Sequence, residues 1–505
     1  MECKQTYLTR RQILKYGVRG GLAAALSSGL WVNGCGRRRR GKRPNILFIL
    51  IDALRADRLG GYGNTGGHSP VLDGIAAESV VFERAIAQSP WTQPSMASLF
   101  CSYYPGVHKV IDYKRAFKST YRGAEKVAVF NDSFVTLAEA LQQAGYATAA
   151  AVANPFTIRE YGFAQGFDYF DPSFLRNQPS GNIADPSLAW NTTAGSVVNE
   201  VALAWLRQRD SDRPFFCFLH YMDVHGPYNA GPEFLDPLLD EVEALPDKRR
   251  LSEEELNRLH YLSQLPSVHT NAERHGQLAF YQEYWAARYE AGIREVDYHI
   301  GNLKAGLQEM GLWDDTYVIV TADHGEALAE HGHWGHGLSA HHPELHVPLF
   351  LRWPGMLAAG KRIRRTVRLI DLMPTLIEQL RLPKVKGLQG RSLLMNEIAG
   401  GGSEEEMAAF AEGIKEGPEQ QAVYLGDWKL MVTPSVGRLE LYNVGDDPLE
   451  QNELSRHHSD KIWQLVNILQ QQNEVNEMLG SQVSTEAVPL TPQQREILRS
   501  LGYLK

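Results

Sequence analysis

The chain reads as an α/β protein built on a largely parallel sheet, because three short apolar runs each end in acidic or imidazole residues. Asn45 to Ile51 (N-I-L-F-I-L-I) stops at Asp52, P-F-F-C-F-L-H-Y-M-D-V-H-G-P-Y runs out into Asp223 and His225, and T-Y-V-I-V-T-A leads to D-H-G-E at Asp323 to Glu326. A continuous apolar run of this length suits a strand covered on both faces. The carboxyl ends of such strands are where open α/β sheets keep their ligands. A helix cap needs one small acceptor and gains nothing from an added imidazole, so capping does not account for the recurrence.

Composition sets the outer bounds. The 505 residues are 43% hydrophobic and 22% charged, enough for one large α/β unit plus a smaller one. A net charge of −8 argues against a nucleic-acid surface, and the dense basic run, Arg37 to Arg43, lies near the start. Residues 1–42 read as an export signal and basic linker. T-R-R-Q-I-L-K, Thr9 to Lys15, sets twin arginines before an apolar stretch, Gly20 to Val32, too short and too glycine-rich to span a bilayer. Cys35, after V-N-G, reads either as a lipobox cysteine or as a cysteine near a cleavage point; the first would give a lipid anchor to the membrane. The expected location is therefore periplasmic or cell-envelope anchored. Cys101 and Cys217 remain in the mature part, with no zinc-type spacing; Cys217 reads as a buried small hydrophobe, and a disulfide between the two stays open.

The remaining elements follow in order. Asp52 is either a metal ligand or orienting base, or a plain cap before A-L-R-A-D, where Arg55 and Asp57 are expected to pair. Asp73 to Phe82 reads as a helix and a short strand. S-P-W-T-Q-P-S-M-A-S-L-F, Ser89 to Phe100, places Thr92 on a turn made by Pro90 and Pro94, with a helix starting at Ser95. A hydroxyl there faces backbone N–H groups and a helix dipole that favour an oxyanion. Phe134 to Gly145 predicts a helix closed by glycine, Tyr146 to Ala153 a strand, Val197 to Arg209 a helix, and Tyr281 to Met310 a long helix ended by Gly311. Gly231 to His275 shows little periodicity and reads as an insertion or lid. Gly401 to Glu406 reads as a flexible turn, and Thr491 to Leu504 as a capped helix.

Taken in order, N-I-L-F-I-L-I-D, S-P-W-T-Q-P-S-M-A-S-L-F, Y-P-G-V-H, F-L-H-Y-M-D-V-H-G-P-Y, V-I-V-T-A-D-H-G-E, H-G-H-W-G-H-G and H-V-P-L-F-L-R-W-P-G resemble the sulfatase family of the alkaline phosphatase superfamily. The resemblance spans roughly Arg43 to Pro383, with a typical C-terminal part in G-D-W-K-L and L-E-L-Y-N-V-G-D-D-P-L-E. It implies an alkaline phosphatase-like α/β/α sandwich over residues 43–385 and a smaller C-terminal antiparallel-sheet subdomain over 386–505. It also implies one divalent metal ion held by Asp52, Asp323, His324 and the Thr92 oxygen, and the donor chemistry suits Ca²⁺, Mg²⁺ or Mn²⁺.

Three departures from the family pattern bear on mechanism. Thr92 and Met96 stand where sulfatases proper carry the formylglycine-forming Cys or Ser and an orienting Arg, and threonine cannot become formylglycine. A plain threonine fits the branches of the superfamily in which it attacks phosphorus. Ala53 stands where the family often has a second acidic ligand, and His336 where many relatives have a substrate-binding Lys. His225 and His336 are the expected substrate-binding and acid groups, and Asn154 an anion donor. His331 and His333 read as loop packing, and His108, His341, His342 and His346 as structural. A second metal on Asp223, His225 and His336 would be chemically reasonable, but relatives with this pattern usually hold one ion, and one is expected. The expected activity is hydrolysis of a sulfate or phosphate/phosphonate ester, on a small or polymeric substrate, with Thr92 as nucleophile. The alternatives are an envelope phospho-head-group transferase and a non-catalytic anion- or polymer-binding protein.

Overall fold

The apolar run Asn45–Ile51 forms the strand around which the main sheet is laid, with six of its seven residues buried. In the computed structural model, residues 43–111, 126–173, 195–226, 228–252, 254–255, 272–332, 334–393, 406–415, 417–492 and 495 are described. The twin-arginine segment, Cys35, His333, residues 401–405 and most of the Thr491 to Leu504 pattern lie outside them.

Nine strands make this sheet: β1 (Asn45–Ile51), β2 (Val80–Ile86), β3 (Ala147–Val152), β4 (Tyr169–Pro172), β5 (Phe215–Tyr221), β6 (Thr316–Thr321), β7 (His346–Val347), β8 (Leu349–Arg352) and β9 (Arg362–Arg368). Five run parallel in the order β6, β1, β5, β3, β4. Beyond β6 the antiparallel β8 joins it to β2, and β9 pairs parallel with β2. Pro348 parts β7 from β8, and its carbonyl accepts from the Thr321 hydroxyl at 2.7 Å. A proline at such a break leaves no ladder donor missing.

Register decides what the sheet edge presents. Leu50 sits opposite His220 of β5 and Thr321 of β6, and Val152 of β3 sits opposite His220. Two residues further along their chains, Asp52, Asp323 and Asn154 leave the sheet at the same edge. Side chains two apart share a face, so the three can converge.

Four helices matter most: α1 (Thr92–Cys101), α2 (Gly195–Gln208), α3 (Ala272–Glu309) and α4 (Ser459–Gly480). Every residue of α1 is buried. It begins at Thr92 rather than at Ser95 as the sequence suggests, because Pro94 falls in the first turn, where a missing N–H costs nothing. α3 matches the long helical pattern and starts earlier than expected. The segment read as an aperiodic insertion includes a regular helix, Pro232–Glu243, whose Leu238 and Val242 are buried in the main core. Cys101 and Cys217 are free and buried, which closes the disulfide reading.

The smaller subdomain is an antiparallel sheet of β10 (Ala409–Ala411), β11 (Gln421–Leu425), β12 (Trp428–Thr433) and β13 (Arg438–Asn443). Leu465 and Leu469 of α4 pack on Val423, Leu430 and Leu441 of this sheet. A fully buried ion pair ties it to the main sheet's loops: Lys429 Nζ lies 2.6 Å from Glu450 Oε1. Glu450 Oε2 accepts from His341 Nδ1–H and from the His342 amide, both at 2.8 Å. Burial would raise the Glu450 carboxyl, and Lys429 and His341 overcome it and hold it well below the usual carboxylate range. Removing one partner of such a pair strands a buried charge. Lys429→Met should therefore lower unfolding stability by about 3 kcal/mol, read from the midpoint of urea unfolding.

Candidate active site

Asp52 continues the β1 ladder by donating its amide to Tyr221 O at 2.9 Å, which sets its side chain among the strand ends. Its Oδ2 accepts from Asn154 Nδ2 at 2.7 Å and from His220 Nε2–H at 3.0 Å. Its Oδ1 is buried and has no hydrogen-bond partner among the described residues. Asp323 repeats the arrangement: Oδ1 accepts from the His324 amide at 3.0 Å and the Ala53 amide at 3.4 Å, while the buried Oδ2 has none. Ser95 of α1 donates to the Asp323 carbonyl at 2.6 Å, pinning the helix that begins at Thr92 to this strand end.

His324 completes the set. Its Nδ1–H donates to Gly325 O at 2.8 Å, so Nε2 carries a lone pair. That nitrogen lies 3.4 Å from Asp52 Oδ1, 3.5 Å from Asp323 Oδ2 and 3.3 Å from Thr92 Oγ1. Ligand atoms of Asp52, Asp323 and His324 all lie within 4.8 Å of one another, and all three residues are buried. Two orphaned carboxylate oxygens beside an imidazole lone pair are costly unless a cation joins them. Two hard oxygens and one imidazole fit a divalent ion.

The electrostatics agree. Burial and then the Asp52 charge push the Asp323 carboxyl well above its ordinary range. Asp52 stays below its own, because His225, His220 and His324 overcome the burial that would raise it. Ala53, between them in space, has a left-handed φ of 60°, a conformation costing about 1 kcal/mol for a residue with a Cβ. Tyr289 of α3 holds it there, donating to Ala53 O at 2.7 Å and accepting from the Arg55 amide at 2.9 Å. The strained bond aims the Ala53 amide at Asp323.

Thr92 Oγ1 also accepts from Asn154 Nδ2 at 3.3 Å. His336 lies beside this group, its ring centroid 4.3 Å from that of His324 and 4.8 Å from that of His225. His225 Nδ1–H donates to Gly226 O at 2.6 Å, whereas His336 Nδ1 lies 3.1 Å from Glu326 Oε1. Burial lowers both imidazoles, His336 further because His324 and His225 crowd it.

All the residues singled out for the site, Asp52, Thr92, Asn154, His225, Asp323, His324 and His336, are thus brought to one place. Asp223 is not. Its Oδ1 accepts from the Gly195 amide at the start of α2, at 2.9 Å, and lies 3.6 Å from His299, so no second centre with His225 and His336 forms. A different cluster, His331, His341 and Glu450, is structural. His331 donates to Leu449 O, its ring lies parallel to His341 at 3.7 Å and 2°, and parallel rings cannot both aim lone pairs at one ion. Arg55 pairs with Asp57 as expected and also with Glu330. His220, Tyr289 and Glu326 were missed. His220 left one signal, a lone imidazole inside an apolar strand.

A parallel-sheet fold with a buried acidic and imidazole cluster at its carboxyl edge, next to a helix-borne hydroxyl, defines a hydrolase of the alkaline phosphatase type. The particular family follows from direct comparison: residues 44–382 match the sulfatase family, and the chain belongs to it. Residues 329–478 also match the region described as N-sulphoglucosamine sulphohydrolase, C-terminal. An N-acetylglucosamine-6-O-sulfatase of Bacteroides thetaiotaomicron is 25% identical over 85% of this chain and 86% of its own. Among solved structures, a 2-O GAG sulfatase superposes with a TM-score of 0.67 at 19% identity over 90% of this chain and 96% of its own. A phosphonate monoester hydrolase of Agrobacterium radiobacter does so with 0.63 at 21%, over 89% and 100%. At these identities the two structures speak for the fold alone.

A ligand for the folded state raises its unfolding midpoint with concentration. Ca²⁺, Mg²⁺ or Mn²⁺ added to chelator-treated protein should do so, the folded state gaining about 2.7 kcal/mol at a concentration a hundred times the dissociation constant. Asp52→Asn and Asp323→Asn should each abolish the rise in a thermal melt.

Proposed function

We propose that this sulfatase-family hydrolase cleaves sulfate or phosphate-type esters with Thr92 as the nucleophile and one divalent cation on Asp52, Asp323, His324 and Thr92. The supporting observation is the meeting of Thr92 Oγ1 with His324 Nε2 and Asn154 Nδ2, each at 3.3 Å, beside two carboxylate oxygens that accept no hydrogen bond among the described residues. When bound, the cation lowers the hydroxyl pKa and neutralises charge on the ester oxygens.

The chain's own groups do the rest. Asn154 orients Asp52 and Thr92 together through one amide nitrogen. Thr92, its proton lost to solvent, attacks sulfur or phosphorus, the bond to the leaving oxygen breaks, and water then cleaves the threonine ester to restore the hydroxyl. The leaving oxygen needs a proton, and His336 is better placed than His225 to supply it. Burial, then Glu344 and Asp52, push the Glu326 carboxyl up, so the Glu326–His336 pair favours keeping one shared proton. Whether that proton sits on the carboxyl or on Nδ1, Nε2 carries its own and can donate it. His225 spends its Nδ1–H on a carbonyl and in its neutral form offers a lone pair instead.

Export through the twin-arginine segment, with or without lipid on Cys35, belongs to the same proposal and rests on T-R-R-Q-I-L-K and the apolar stretch after it. The test is a p-nitrophenyl panel of sulfate, phosphate monoester, phosphate diester and phosphonate, with and without chelator. Turnover of at least one ester should need metal and fall by about 10⁴-fold or more in Thr92→Ala, as removal of a nucleophile does. Turnover that survives Thr92→Ala would refute the nucleophile. His336→Ala should cost most with the poorest leaving group, about 10²-fold, and little with p-nitrophenolate.

A further inference from the structure

His336 stands between two glycines, and the backbone there has little stiffness of its own. Gly335 and Gly337 have φ of 86° and 78°, a region that glycine enters without strain and leaves as readily. The direction of the imidazole therefore depends on what holds the chain on either side. Before His336, Trp334–Gly335 pairs antiparallel with Ala327–Leu328, a bridge of two residues. After it, the hold comes from a fully buried side chain, Glu344.

Glu344 lies in a single helical turn, His342–Leu345, just before β7. Its Oε2 accepts from the Gly337 amide at 2.8 Å and its Oε1 meets the Ser339 hydroxyl, so one carboxyl group spans the 337–339 turn. The Gly337 carbonyl, on the other side of the residue, accepts from the Lys415 amide at 2.8 Å.

The main chain of the same helical turn holds the neighbouring loop. Glu344 O accepts from the Gly325 amide at 2.9 Å, and Pro343 O from the Glu326 amide at 3.2 Å. A Cβ on Gly325 would lie 2.0 Å from Pro343 O, so the two segments touch along their backbones. Glu326 and His336, whose side chains meet at 3.1 Å, are thus both set from one turn: Glu326 by its carbonyls, His336 by the Glu344 side chain. An imidazole that gives up a proton must be held in angle as well as distance.

We propose that Glu344 is the positioning residue for His336: its carboxyl group sets where the imidazole points, through the 337–339 turn, without touching the substrate. The inference rests on the acid role given to His336 above and deepens it. Shape rather than charge is what this role requires. Glutamine has the same reach, with an oxygen for the Gly337 amide and a donor for the Ser339 hydroxyl, whereas aspartate is a methylene short and methionine offers neither group.

The test compares Glu344→Met, Glu344→Gln and His336→Ala in the full-length, metal-loaded protein, on p-nitrophenyl, phenyl and alkyl esters of the acid that is turned over. Glu344→Met should lower kcat roughly tenfold to a hundredfold on the alkyl ester and little on the p-nitrophenyl ester. Combined with His336→Ala it should be no slower than His336→Ala alone, as for two residues acting through one group. Glu344→Gln should stay close to the parent, and Glu344→Asp takes the place of the methionine variant if that does not fold. Independently of turnover, the His336 ring resonances in histidine-labelled protein, assigned by their absence from His336→Ala, should shift in Glu344→Met and keep their place in Glu344→Gln. A loss equal on all esters and additive with His336→Ala would overturn the proposal. So would Glu344→Gln as slow as Glu344→Met, or ring resonances that Glu344→Met leaves unmoved. If His336→Ala proves indifferent to the leaving group, the acid role falls, and the ring resonances alone decide whether Glu344 positions this imidazole.

Discussion

Two carboxylates that burial sets against each other hold the organisation of this protein together. Asp52 and Asp323 leave neighbouring parallel strands with one oxygen each satisfied by protein and one not. Among the described residues, imidazoles, the Asn154 amide and two backbone amides offset part of the desolvation and repulsion, which holds Asp52 down and leaves Asp323 raised. A cation between them would relieve both costs at once. The surrounding structure makes sense as a means of keeping that unfavourable geometry in place: the Ser95 hydroxyl grips the Asp323 carbonyl, His220 and Asn154 clamp one side of Asp52, and Tyr289 keeps Ala53 in its strained turn.

Rigidity of this kind comes from placing the groups on strand ends and a buried helix rather than on long loops. The nucleophile candidate is the first residue of a helix with no exposed face, so its position follows that of the core. A hydroxyl at a helix start also meets the positive end of the helix dipole, which favours the anion it would become.

The C-terminal subdomain does more than cover the sheet. Its buried Lys429 neutralises Glu450, which in turn orients His341 and the start of the His342 turn. Its other contact reaches the site directly, through Gly413 on Trp91 and Lys415 on Gly337.

Much of the site was legible in the sequence, because apolar runs that end in Asp and His can be seen without coordinates. Asp52, Thr92, Asp323, His324, His225 and His336 were each found that way or through the order of the family's motifs. Other parts were not. His220 sits inside a strand and becomes an Asp52 partner only through the pairing of β1 with β5. Tyr289 comes from α3, far away along the chain, and reaches Ala53 by packing. Asp223 shows the converse: it follows a strand as the others do, yet turns to the Gly195 amide of α2. The sequence alone determined the fold class, the family and the donor types at the strand ends, since periodicity and motif order are local properties of the chain. Which of those donors meet, which are left unsatisfied and which distant residues complete the set was decided only by tertiary structure, because sheet register and subdomain docking depend on contacts between segments hundreds of residues apart.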